Sequence, residues 1–241
     1  MVQNKMIMKD SVSIKNHYGI YNNLRVFILV AFILFFMNIA HGYAGEKDKL
    51  VIGHFSQNNY ENWDKKVFAG ESQYQLVQLD DQIVLKAQAS NSASGLVKKV
   101  RVDLRQTPFL NWSWRVETPH PFLDERSKQG DDYAARVYIV VDGGLMFWKT
   151  IALNYVWSSS QAIGSSWSSA YAGKNVKLVA LRSKEHRLSK WYTEKQNVYK
   201  DFKHLFHKSI THIDGVAIMT DSDNSGGEAI AYYGDIFFTA F

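Results

Sequence analysis

The 241-residue sequence contains no cysteine, which excludes disulfides, thiolate nucleophiles and cysteine-ligated metals together. An exported domain built from it must be held by its core. A Gly-x-Ser-x-Gly elbow is also missing, and the position five before Gly173-Lys174 is Ser168, where a phosphate-cradling Walker loop needs glycine. Apolar runs fall short of the ~20 residues that cross a bilayer as a helix. The run from Val26 to Ala40 has 15. No internal repeat is evident, and no linker divides the chain beyond that run.

What precedes and follows the run decides the compartment. Lys5, Lys9, Lys15 and Arg25 lie on its N-terminal side, and Ala40-His41-Gly42 and Gly42-Tyr43-Ala44 place small residues where a signal peptidase reads. Residues 1–44 are therefore expected to be a signal peptide cleaved after Gly42 or Ala44, or else an uncleaved N-terminal anchor. Either way the positive charge before the run puts the rest of the chain outside the cytoplasm, in the periplasm, touching membrane only through that segment. The segment carries four of the 28 basic residues and one of the 23 acidic ones, leaving 24 against 22, a net charge of +2. So even a balance does not make the basic stripe that nucleic acid requires. Residues 45–241 suffice for one domain with one core.

The dominant period along those residues is two. Tyr133, Ala135, Val137, Ile139 and Val141 alternate with Ala134, Arg136, Tyr138 and Val140, which predicts a strand with one fully apolar face. Comparable runs occur at 50–55, 74–79, 83–89, 96–102, 109–116, 151–157, 176–181, 216–220 and 229–238. Turn formers separate them: Asp80-Asp81, Ser90-Asn91-Ser92, Asp142-Gly143-Gly144 and Ser222 to Gly227. One segment has helical spacing, with Val198, Phe202, Leu205 and Phe206 behind Asn197 as N-cap. Many short strands and one covering helix predict an all-β, two-sheet β-sandwich of jelly-roll type.

All seven tryptophans follow the leader. Inter-sheet core is the plain expectation for them, and Trp112 and Trp114 share a strand face. Trp148, Tyr155, Trp157, Trp167 and Tyr171 surround a Ser-rich stretch (SSSQAIGSSWSSAYAG) that reads as a long exposed loop. Aromatics there would suit a sugar ring or a protein partner. In the acidic loop, Asp221, Asp223 and Ser225 fall at positions 1, 3 and 5 of a calcium loop, with Gly226 at 6. Position 12 is Tyr232, which excludes an EF-hand, although Glu228, Asp235 and carbonyls could complete a shell. The simpler alternative is a hairpin whose Asp and Asn side chains satisfy local amides. His204, His207 and His212 have zinc-like spacing without a further ligand. Asp131 or Asp132 with Asp221, Asp223 or Glu194 could form an acid and base pair, provided Arg136 does not hold one ionised.

Ala93-Ser94-Gly95-Leu96, Pro108-Phe109-Leu110-Asn111-Trp112-Ser113-Trp114-Arg115-Val116, Gly130-Asp131-Asp132-Tyr133-Ala134-Ala135-Arg136-Val137-Tyr138, Asn154-Tyr155-Val156-Trp157 and the stretch from Asp221 to Ile236 together resemble a bacterial exported family, domain-of-unknown-function family 3047. The resemblance implies an extracytoplasmic domain of Gram-negative bacteria and carries over no catalytic residues. In style the strands are also similar to jelly-roll carbohydrate-binding modules. The expectation is a periplasmic sandwich that binds a glycan or another envelope component without covalent chemistry. Its site would use Asp131, Asp132, Arg136, Asn154, Tyr155, Trp157, Trp167, Asp221, Asp223, Asn224, Tyr233 and Asp235, with calcium at Asp221, Asp223 and Ser225 as an option and no other cofactor. A carboxylate-dependent polysaccharide hydrolase or lyase, and a structural envelope protein with a protein partner, are the alternatives.

Overall fold

The computed structural model describes residues 49–146 and 149–241; the leader and Trp148 lie outside them. Strands β1 (Lys49–Gly53), β3 (Gln73–Leu79), β4 (Gln82–Ser90), β6 (Phe109–Thr118), β11 (Tyr192–Asn197), β13 (Glu228–Tyr233) and β14 (Ile236–Thr239) form one sheet. Strands β2 (Asp64–Ala69), β5 (Ala93–Asp103), β7 (Arg136–Val141), β8 (Ile151–Trp157), β9 (Ser166–Ser169), β10 (Gly173–Arg182) and β12 (His212–Asp221) form the other, in the order β2-β5-β12-β7-β8-β10-β9. All pairings in the second sheet are antiparallel except β8 with β10. This is the two-sheet jelly-roll-type sandwich that the alternation predicts, with one α-helix among the described residues, α1 (Val198–Phe206). Among the described residues no helix is long and apolar enough to cross a membrane.

The core lies between the sheets and is largely aromatic. Trp112 and Trp114 point inward from β6, and meet Tyr155 and Trp157 from β8. Tyr155 stacks on Trp112 with centroids 5.4 Å apart, and Trp157 meets Trp114 edge-on at 6.0 Å. Such pairs contribute about 0.5–1.5 kcal/mol each beyond the apolar area they bury. Trp114 Nε1 donates to Glu194 Oε1 at 2.9 Å, and Arg182 Nε donates to the same oxygen at 2.5 Å, whereas Trp112 Nε1 has no hydrogen-bond partner among the described residues. Helix α1 begins as its sequence requires, with the Asn197 side chain accepting from the Lys200 amide at 3.0 Å. It docks through Val198 and Phe202, and Tyr155 Oη donates to Asp201 Oδ2 at 2.5 Å.

Several boundaries differ from the alternation. The run 229–238 is two strands, because Gly234 and Asp235 break it, while β13 and β14 continue along β6 with Tyr233 opposite Trp114 and Phe237 opposite Asn111. The alternation also misses β2, β9 and β11. Nor is the Ser-rich stretch a long exposed loop: Ser158 and Ser159 are buried, and β9 runs through it.

A segment between β6 and β7 packs against the ends of β8 and β12 and carries the acidic pair. Buried Glu125 ties it down, accepting from Ser158 Oγ at 2.5 Å and from Ser159 Oγ at 2.9 Å. Gly130 is required there, since a Cβ at that position would lie 2.4 Å from the carbonyl oxygen of Asp124. Backbone cannot yield as a flexible side chain can, so Gly130→Ala is expected to destabilise by about 1–3 kcal/mol. Thermal unfolding would show this as a midpoint several degrees below wild type; an unchanged midpoint would mean that the 124–130 turn is not the constraint described.

Candidate functional site

Period two sorts the second sheet into an inner face, which meets the core, and an outer face. On β7, Val137 and Ile139 point inward, whereas Arg136, Tyr138 and Val140 point outward. Register brings outward residues together: Arg136 is opposite Met219, Tyr138 is opposite Ala217 and Asn154, Met219 is opposite Gly95, and Asp221 is opposite Ala93. The outer face is recessed into a cleft of about 580 Å³, within the usual size of ligand sites. Small residues, Ala93, Gly95 and Ala217, make part of its floor, and Phe68 and Tyr171 stand on its rim, 65% and 57% exposed.

One end of the cleft is charged. Arg136, 4% exposed, pairs with Asp221, 1% exposed, through Nη2 and Oδ2. The guanidinium also lies 4.8 Å from the ring centre of Tyr133 and 5.6 Å from that of Tyr138, so cation–π attraction replaces part of its lost hydration. Asp221 Oδ1 accepts from the Tyr133 amide at 3.1 Å, and its carbonyl contacts His120 Nε2 at 2.7 Å. Burial lowers the His120 pKa below its usual value.

Asp131 and Asp132 are adjacent but differ in chemistry. Asp132 accepts from the Asn224 amide at 3.1 Å, Asn224 Nδ2 at 3.1 Å, the Ser225 amide at 2.6 Å and Ser225 Oγ at 2.6 Å. Burial pushes its pKa up, but the bonds from Ser225 and Asn224 outweigh that and hold it below the ordinary value. Asp131, 8% exposed, lines the cleft, and its Oδ1 has no hydrogen-bond partner. Burial raises its pKa, against the pull of Arg136. Asp223, exposed at the same end, is raised by partial burial and by Asp132 beside it.

The predicted residues thus divide. Asp131, Arg136, Asp221, Asp223 and Asn224 converge on the cleft, with Asp132 directly behind Asn224. Asn154 lies on the same face of the sheet, buried, with Oδ1 unpartnered. Tyr155, Trp157 and Trp167 are buried packing groups, and no face of theirs is free to stack on a sugar in the cleft. Tyr155 and Trp157 have the inward phase of β8, and Trp167 packs with Tyr133, Val156 and Leu178 beneath the outer surface. Tyr233 is also interior: its hydroxyl donates to the Met219 carbonyl at 2.8 Å and accepts from the Arg136 amide at 3.2 Å, joining the two sheets. Asp235 accepts from the amide and hydroxyl of Ser56 at 2.8 and 2.6 Å, closing the β13–β14 break.

For a cation, Asp132, Asp221 and Asp223 each offer an oxygen within 4.8 Å of the others. Ser225 belongs to Asp132 instead. Tyr138 and Phe68 were not singled out by the sequence. Tyr138 was within reach, sharing the phase of Arg136 two residues before it; Phe68 gave no signal, because β2 does not alternate. A smaller cavity of about 90 Å³, lined by His120, Trp157, Ser158 and Lys184, lies on the other side of Asp132.

No curated protein matches the sequence. Among solved structures, the family 30 carbohydrate-binding module of a Clostridium thermocellum cellulosomal cellulase is similar at 9% identity and a TM-score of 0.45, over 80% of this chain and 97% of that one. The family 11 module from the same organism, in complex with a β-1,3-1,4-mixed-linked tetrasaccharide, gives 9%, 0.43, and 80% and 96%. A cellulase derived from a Rhodothermus marinus enzyme gives 10%, 0.43, and 73% and 96%. TM-scores below 0.5 leave the site to be read from its own residues. The model of the family described as protein of unknown function, DUF3047, matches residues 61–237, and the chain belongs to that family.

Proposed function

We propose that this protein binds a glycan of the cell envelope, after export to the periplasm, in the cleft on the outer face of its second sheet. The observation that supports this most is the pairing of two surfaces in one recess. Exposed aromatic rim residues, Phe68 and Tyr171, face a wall of buried polar groups that retain unused hydrogen-bonding capacity at Asp131 Oδ1 and Arg136 Nε. A sugar ring presents the matching pair, an apolar face of C–H groups and an edge of hydroxyls. The ring would lie against Tyr171 while hydroxyls donate to Asp131 and Asp223. Tyr171 is set for this by its own hydroxyl, which donates to Asn224 Oδ1, and by Lys128 Nζ, 5.2 Å from its ring centre.

A carboxylate-dependent hydrolase or lyase draws on a single observation, the raised pKa values of Asp131 and Asp223 in the same cleft. Asp132 and Asp221 are poorly suited to acid and base work, since their oxygens are occupied by loop donors and by Arg136. Under that reading Asp131→Asn would abolish product formation from a polysaccharide that the variant still binds.

Titration calorimetry of the protein against envelope and plant-type oligosaccharides should detect binding, and Tyr171→Ala should weaken it about tenfold, the loss expected for ~1–2 kcal/mol of apolar contact. If no glycan binds at millimolar concentration, the proposal fails.

Affinity should also fall with acidification. The pKa values of Asp131 and Asp223 are raised, so both take up protons above the ordinary carboxylate range of about 4, and each then loses a charge-assisted hydrogen bond. Binding should therefore weaken as pH falls from neutral, beginning above the range of about 4 in which an ordinary carboxylate takes up its proton. The double variant Asp131→Asn, Asp223→Asn should show a flat profile over the same interval; a wild-type profile that is itself flat would remove these two carboxylates from the contact.

A further inference from the structure

We infer that the cleft selects a glycan bearing free amines, an amino sugar without its N-acetyl group, through an ammonium held between Asp131 and Asp223. The inference rests on the glycan-binding reading above and names its ligand class. It begins from charge: the cleft is lined by three carboxylates, Asp131, Asp221 and Asp223, against one guanidinium, Arg136. Arg136 is matched by Asp221. The excess negative charge therefore lies on Asp131 and Asp223.

Those two also have free acceptors. Asp131 Oδ1 is buried, has no hydrogen-bond partner among the described residues and belongs to the cleft wall, which is an unusual state for a carboxylate oxygen. Asp223 is exposed, and its Oδ1 accepts from Asn224 Nδ2 at 3.2 Å. A buried carboxylate oxygen without a donor is a site that a ligand donor completes, and one with positive charge completes it best.

An ammonium fits the remaining donor set better than a divalent metal. Calcium takes six to eight oxygens, but here Asp132 is filled by Asn224 and Ser225. Asp221 Oδ1 takes the Tyr133 amide, and its Oδ2, though without a hydrogen-bond partner, is balanced by the charge of Arg136. Two free carboxylates suit an ammonium, which has three N–H donors and leaves one for water or a neighbouring hydroxyl. The aromatic walls agree with this choice, since the rings of Tyr138 and Tyr171 lie in the same cleft and their faces attract cations. Lys128, over Tyr171, shows that this ring already takes an ammonium on one side.

The test compares three oligosaccharides of equal length on the full protein: β-1,4-linked glucosamine, its N-acetylated form, and β-1,4-linked glucose. The free-amine oligomer should bind about tenfold more tightly than the other two, the effect of one charge-assisted hydrogen bond. That margin should shrink as salt is raised. Asp131→Asn and Asp223→Asn, each checked for an intact unfolding transition, should each remove the preference, weakening the free-amine oligomer more than the neutral one, whose hydroxyls also use these carboxylates. Equal or tighter binding of the N-acetylated or neutral oligomer would overturn the inference and leave the glycan-binding proposal standing. Absence of binding by all three, and by the wider glycan panel, would overturn both. Calcium that raises the unfolding temperature of wild type but not of Asp131→Asn would overturn the ammonium assignment in favour of a metal.

Discussion

A guanidinium and a carboxylate, both out of water, hold the outer face of the second sheet in place. Leaving either Arg136 or Asp221 buried alone would cost roughly 3–5 kcal/mol, so any arrangement that separates them is strongly disfavoured. Arg136 stands at the start of β7 and Asp221 at the end of β12, with Met219 opposite Arg136. A slip of one residue between these strands would turn one partner toward the inter-sheet core while the other stayed outside. The pair therefore selects the register of the central strands more sharply than their apolar residues do, since Val137, Ile139, Val216 and Ile218 could tolerate several alignments. Tyr233 adds a constraint from the opposite sheet, touching the Arg136 amide and the Met219 carbonyl with a single hydroxyl.

Once β12 ends at Asp221, the next residues must leave the sheet, and Asp132 determines their path. Its two oxygens gather the amides of Asn224 and Ser225 together with both side chains. The glycines that follow, Gly226 and Gly227, have φ of 77° and 85°, a conformation that other residues adopt at a cost. The loop is thus closed by a carboxylate from another segment, beyond the local Asx bonding a hairpin would use. Its shape in turn places Asn224 under the hydroxyl of Tyr171 and Asp223 beside Asp131. Two adjacent aspartates consequently separate in role: one is consumed in building the wall, the other is left facing the recess.

Alternation made most of the sandwich legible. Strands with a buried apolar face, such as 109–116, 151–157 and the predicted run 133–141, of which only 136–141 is strand, stand out because the core demands an apolar residue at every second position. Edge strands escape that demand: β2 is exposed throughout, β9 is four residues long, and β11 is mostly polar with Glu194 as its one buried residue. The site was partly legible as well. Asp131, Arg136, Asp221, Asp223 and Asn224 line one cleft, whereas Asp235 binds Ser56 and Tyr155 and Trp157, grouped by sequence with Asn154, are interior. Consecutive residues of a strand point to opposite faces, so Asn154 on the outer side requires Tyr155 to be inside. What no local pattern contains is the approach of Asp132 to Asn224 in the 221–227 loop, 92 residues away along the chain, since that contact depends on strand order.

Packing alone would not leave this face as it is. Interiors close over voids because unfilled space forfeits dispersion contacts, and buried polar atoms without partners are few in native proteins. Here a recess and unpartnered atoms coincide: Asp131 Oδ1 and Arg136 Nε lie at one end of it. The depth itself comes from three small residues in neighbouring strands, Ala93, Gly95 and Ala217. At Gly95 the smallness is enforced, as a Cβ would lie 2.9 Å from the Ile218 carbonyl oxygen. The ion pair that fixes the register therefore also fixes which residues form the floor, and the same alignment that satisfies Arg136 keeps large side chains away from the space in front of it. Stability of the sheet and openness of the cleft follow from one register, which explains how a fold held only by its core can carry a polar recess in the middle of a sheet.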